Sequence, residues 1–128
     1  MSLASDLKRF AQLSIAKQDR VVKSSFIQLG NEMEFKSPVD KGTFKSAWIG
    51  AIGSPKEFVS KDSARDAVGS LSAMLGGFQV GQVFYYTNSM PYAVKLEYGH
   101  SEQAPGGFVR LTARRWPAIV NAQIKANQ

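Results

Sequence analysis

From Asp6 onward nothing breaks a helix until Gly30, which only weakens one, and Pro38, which ends it. A run of that length assigns the start of the chain to one long helix. Ser5 can cap it, and Asp6 suits the positive end of its dipole. On a 3.6-residue period Leu7, Phe10, Ala11, Ile15, Val22, Phe26, Leu29 and Met33 gather on one side, the expected core face. Arg9, Lys17, Arg20 and Lys23 face away and offer a contact for DNA or an acidic partner. Two apolar residues, Leu13 and Ile27, fall on that basic face. They mark either a partner surface or the scattered apolar residues that any surface carries.

The rest of the chain reads as short elements. Ser37-Pro38-Val39-Asp40-Lys41-Gly42 is a turn, with Asp40 placed to cap a helical turn through Phe44 to Ala47. Trp48 to Ile52 is apolar throughout and predicts a covered strand, ended by Gly53-Ser54-Pro55. A helix follows, capped by Asp62 or Ser63, with Ala64, Ala67, Val68, Leu71, Met74 and Leu75 as its apolar face and Gly76-Gly77 as its stop. Phe78 to Asn88 alternates and predicts a long strand pairing with 48 to 52. Pro91 can open a short helix from Tyr92 to Tyr98, closed by Gly99. A last helix spans Gly107 to Asn127, bent at Pro117. The expected fold class is α+β: a long N-terminal helix and a C-terminal helix on a small antiparallel sheet, with short helices in the connections.

The 128 residues fit one domain. With no cysteine, disulfides, thiolate nucleophiles and Cys-based metal sites are excluded. The first residues lack the pattern of a secretory signal and no apolar run reaches spanning length, so a protein made in the cytoplasm, without a membrane partner, is expected. A net charge of +6 can attract DNA, an anionic membrane or an acidic protein surface and does not choose among them.

Catalytic chemistry has little to start from. His100 is the only histidine, so a serine triad or a two-histidine metal site cannot form within one chain. Asp62 and Asp66 read as surface charges near a helix start. Gly76-Gly77 and Gly106-Gly107 match neither the dinucleotide fingerprint nor the phosphate-binding loop. Phe84, Tyr85 and Tyr86 have no basic residues interleaved for stacking nucleic acid. No catalytic residue, cofactor or metal is expected. Glu97 stands near a helix C-terminus, where the dipole disfavours a carboxylate; it either calls for an amide donor or a cation, with Arg110 or an arginine of a neighbouring subunit as the candidate, or stands solvated without a partner.

The densest cluster of unusual residues runs from Asn88 to Arg110: an asparagine turn, Pro91-Tyr92-Ala93, Leu96-Glu97-Tyr98-Gly99, Ala104-Pro105-Gly106-Gly107 and Val109-Arg110. In that order it resembles the tail-component family of lambdoid siphophages. The Ser37 to Gly42 turn, followed by a strand with Trp48, resembles the same family's Thr-Pro-Val-Asp-Thr-Gly segment. Ser37, Lys41 and Phe108 stand where that family more often has threonine, a small polar residue and methionine. The resemblance implies a virion protein at the neck, in tail completion or head–tail joining. It would form a ring with copies of itself, between a head connector or head-closure protein and a tail-tube or tail-terminator protein, after assembly in the host cytoplasm. Pro38, Asp40, Gly42, Pro91, Tyr92, Gly99, Pro105 and Gly107 are then shape-setting residues, with Glu97 and Arg110 as the charged pair. The alternatives are a basic module touching DNA without sequence specificity and, more remotely, a small hydrolase built around His100.

Overall fold

The computed structural model describes residues 3–37, 46–56, 66–90, 93–98 and 107–128, and these form an α+β fold. Helices α1 (Leu3–Ala11) and α2 (Ile15–Lys36) are followed by strand β1 (Trp48–Ile52), helix α3 (Ala67–Leu75) and strand β2 (Phe84–Asn88). Three helices complete the order: α4 (Ala93–Glu97), α5 (Val109–Arg114) and α6 (Trp116–Ala126). The strands pair antiparallel, with Trp48 opposite Asn88 and Ile52 opposite Phe84. α2 is the spine. It carries α3, α5 and α6; α3 lies in turn on β1, and α1 folds back onto α6. None of the described helices is long and apolar enough to cross a membrane.

The expected single N-terminal helix is two helices. Ser14 leaves the helical conformation and its side chain accepts a hydrogen bond from the Lys17 amide at 3.3 Å, which starts α2 afresh. The Gln18 side chain donates to the carbonyl of Phe10 at 3.2 Å, near the end of α1. The break changes the helical phase, so the expected core face holds beyond it, where Val22, Phe26, Leu29 and Met33 pack into the apolar clusters, and fails around it. Val21, Ser25, Gly30 and Met33 are the buried residues of α2, whereas Leu7 is 58% and Ile15 81% exposed and Ala11 is also outside. Ile27 lies inward, packed against the cluster of Leu71, Leu75 and Phe78, and Leu13 is half-buried at the α1–α2 corner. Neither belongs to an exposed basic face.

Other boundaries move for local reasons. α3 is capped by Asp66, whose carboxylate accepts from the Gly69 amide at 2.8 Å; the expected caps Asp62 and Ser63, with Ala64, lie outside the described residues. The long second strand shortens to Phe84–Asn88, because Gly81 turns the chain at φ 104° and leaves Val80 and Val83 exposed. The last helix divides at Arg115, and Pro117 sits in the first turn of α6, so it opens a helix instead of bending one.

Two apolar clusters hold these elements together. Met33, Trp48, Ala67 and Phe108 form one, Leu71, Leu75 and Phe78 the other, and Tyr86 packs against both. Phe26 stacks on Phe84 at 4.5 Å and on Trp116 at 5.8 Å, tying α2 to the sheet and to α6. Gly30 lets α3 approach α2 closely: a Cβ there would stand 2.4 Å from Leu71 Cδ2, a side chain that is fully buried. Gly30→Ala is therefore expected to destabilise the fold by roughly 1–3 kcal/mol, overpacking outweighing the gain in helix propensity. Urea denaturation checks it, and an unchanged or raised midpoint would show that Leu71 yields freely.

Candidate functional site

Ser37 and Trp48 meet Tyr86 and Phe108 at one place, and Phe108 leads on to Glu97 and Arg110. Trp48, the first residue of β1, is buried between Tyr86, stacked at 5.2 Å, and Phe108, met edge-on at 6.1 Å. Its indole Nε1 donates to Ser37 Oγ at 2.9 Å, and that hydroxyl donates to the Met33 carbonyl at 2.7 Å. The end of α2 is thereby fixed to the start of the sheet. At the same end of the sheet, opposite Trp48, Asn88 Oδ1 accepts from the Met90 amide at 3.1 Å, an Asx turn that directs the chain out of β2.

Glu97 organises the far side. Its Oε1 accepts from the amides of Phe108 at 2.8 Å and Val109 at 2.9 Å, and its Oε2 from the Arg110 amide at 3.0 Å and Arg110 Nε at 2.8 Å. Arg110 Nη2 donates to the Glu97 carbonyl at 2.6 Å, and its guanidinium lies 4.6 Å from the Tyr98 ring centre. A carboxylate misplaced at the end of α4 is thus well placed at the start of α5, whose first amides have no acceptor of their own: the flanking Phe108 makes no side-chain cap bond. Burial works to raise the Glu97 carboxyl, but the three amides and the guanidinium outweigh it and hold it below its ordinary value. Gly107 is required here. Its φ is 88°, and a Cβ would come within 2.8 Å of both the carbonyl and carboxylate oxygens of Glu97.

A second carboxylate was not singled out from the sequence. Glu32 accepts from Arg115 Nε at 2.5 Å and Gln28 Nε2 at 3.1 Å, with Lys36 Nζ at 3.8 Å, and so ties α2 to the α5–α6 junction. The Arg115 hydrogen bond holds its carboxyl below the ordinary value against a smaller opposing push from burial. The four-residue spacing of Gln28, Glu32 and Lys36 was the available signal. Nothing local pointed to Arg115.

The expected outward row of cations is only partly outward. Arg9 turns in, pairing with the buried Asp6 at 2.6 Å and bonding Asn121 Oδ1 on α6. Lys23 pairs with Asp19 at 3.0 Å, and the exposed Arg20 donates to Asn127 Oδ1 at 3.2 Å, while Lys17 is half-buried. Pro38, Asp40, Gly42, Pro91, Tyr92, Gly99 and Pro105, and His100 with them, lie outside the described residues. Among the described residues no group of three or more histidine, aspartate or glutamate side chains is placed to hold a metal ion. What the arrangement does chemically is fix shape: an amide-bound carboxylate and a hydrogen-bonded indole join three segments distant in sequence. Compared with protein-family models, curated proteins and solved structures, the chain matches none.

Proposed function

We propose that this chain is a structural protein of a tailed-bacteriophage virion, part of a ring at the head–tail neck that acts in tail completion or head–tail joining. The observation that carries the reading is the meeting of the two stretches that resemble the siphophage tail-component family. Ser37 of the first holds Trp48, Trp48 packs on Phe108 of the second, and Glu97 of the second binds the backbone of Phe108, Val109 and Arg110. Residues spaced for a fold and engaged with one another suit a part whose work is to keep its shape among neighbours.

The test is removal of the chain from a phage that encodes it, followed by electron microscopy of the lysate. DNA-filled heads beside separate or defective tails are expected, with infectivity restored by the wild-type chain and equally by His100→Ala. Normal infectious particles without the chain would end the proposal, and loss of rescue by His100→Ala would turn attention to chemistry at that residue.

A further inference from the structure

Between α1, α2 and α6 lies a hollow of about 170 Å3. Leu7, Phe10, Val21, Val22, Pro117 and Val120 make most of its wall, and the one carboxylate there, Asp6, is already engaged by Arg9. A dry apolar cavity of roughly 150 Å3 is large enough for a benzene ring. In the last turn of α2, Phe35 holds such a ring in solvent, 84% exposed. Ten residues of helix, about 15 Å, separate it from Ser25 on the wall of the hollow, so it cannot fill the hollow of its own chain.

We infer that the ring of Phe35 seats in this hollow on a second copy of the chain, so that copies associate head to tail. The charges agree. Beside the hollow, α1 and the N-terminal half of α2 carry Lys8, Arg9, Lys17, Arg20 and Lys23 against Asp6 and Asp19. The cleft beside Phe35 is lined by Glu32, Glu34 and Asp66 against Lys36 and Arg115. A net positive surface thus meets a net negative one when the ring is seated, and the dipole of α2 has the same sense. Knob and hollow are different patches, so the contact is heterologous, and it closes into a ring wherever the rotation between copies permits. The inference rests on the neck reading for the ring, and adds to it the two surfaces that join the copies.

The test is sedimentation equilibrium of the full chain over rising concentration, as wild type, Phe35→Ala and Val120→Phe. Phe35→Ala removes the knob and, at so exposed a position, leaves the thermal midpoint of the monomer unchanged. Val120→Phe fills the hollow from within. Wild type is expected to associate beyond the dimer. Either variant alone weakens association roughly 30-fold or more, as loss of a buried aromatic anchor does. An equimolar mixture of the two stops at a dimer, because only one knob and one hollow still match. Should Val120→Phe not fold, Phe35→Ala decides alone. A Phe35→Ala chain that associates like wild type overturns the inference, as does a wild type that stays monomeric throughout. Assay of purified particles separates this from the neck reading. Chain present in particles beside normal association of Phe35→Ala sinks the contact alone, and chain absent from particles sinks the neck reading while the sedimentation result still decides the contact.

Discussion

Glu97→Ala is expected to lower the folding free energy by about 2–4 kcal/mol, because it strips the acceptor from three backbone amides at once. The Phe108 amide is buried and gains no water in exchange, while those of Val109 and Arg110 are half-covered and recover part of the loss. Arg110→Ala is expected to cost under about 1 kcal/mol, since its side chain is 47% exposed and the ion pair is screened by solvent. A double-mutant cycle in urea therefore yields a coupling well below the Glu97→Ala value. Equal losses from the two single variants would show instead that the guanidinium, and not the row of amides, holds the carboxylate.

The same geometry sets a pH dependence. The Glu97 carboxyl titrates below its ordinary value of 4.5 in the folded chain, so over the interval between the two values the unfolded chain binds the proton more readily. Its stabilising contribution is complete above about pH 4.5 and is lost as pH falls through the folded value. Glu32, lowered by Arg115, contributes with the same sign. Glu97→Gln is expected to flatten the acid limb of a stability profile without altering the neutral plateau's shape, and an acid limb unchanged in that variant would assign the whole effect to other carboxylates.

Glu97 was legible in the sequence for a reason that generalises. A charge set against a helix dipole is a local anomaly, and its resolution needed donors that Arg110 and the glycine-led start of the next helix were placed to give. β1 was legible as well, since an unbroken apolar run from Trp48 to Ile52 has few other uses. The N-terminal helix was not. Ser5 and Ser14 are equally good caps, and a helical period read through Ser14 returns a coherent apolar stripe of which the fold uses Val22, Phe26, Leu29 and Met33 but leaves Leu7, Ala11 and Ile15 outside. Once the chain restarts at Ser14, Val21 and Ser25 turn inward and Ile15 turns out. Gly81 hides the same way: alternation from Phe78 continues on paper across a residue whose positive φ ends the extended chain. The inward turn of Arg9 is invisible to a wheel, which describes one helix, because its partners Asp6 and Asn121 include a residue on α6 brought back by the whole topology.

Trp48→Ala should produce the largest loss of any substitution considered, about 3–5 kcal/mol, the usual cost of emptying a large aromatic site in a core. The indole is 3% exposed and spans the Met33, Ala67 and Phe108 cluster, so its removal opens a cavity between β1, α2 and the start of α5. Packing and polarity can be separated by two further variants. Trp48→Phe keeps an aromatic ring against Tyr86 but loses the Nε1 donor and leaves Ser37 Oγ without the bond it accepts. Ser37→Ala keeps the indole and orphans its buried N–H, at about 1–3 kcal/mol. Because Phe108 both touches Trp48 and donates its amide to Glu97, loss of the indole loosens the carboxylate's seat as well. The combination of Trp48→Ala with Glu97→Ala is accordingly expected to cost less than the sum of the two, measured by urea denaturation in a background stable enough to hold both. Strict additivity would mean that the indole and the carboxylate brace the start of α5 independently, sharing a neighbourhood without sharing a mechanism of stability.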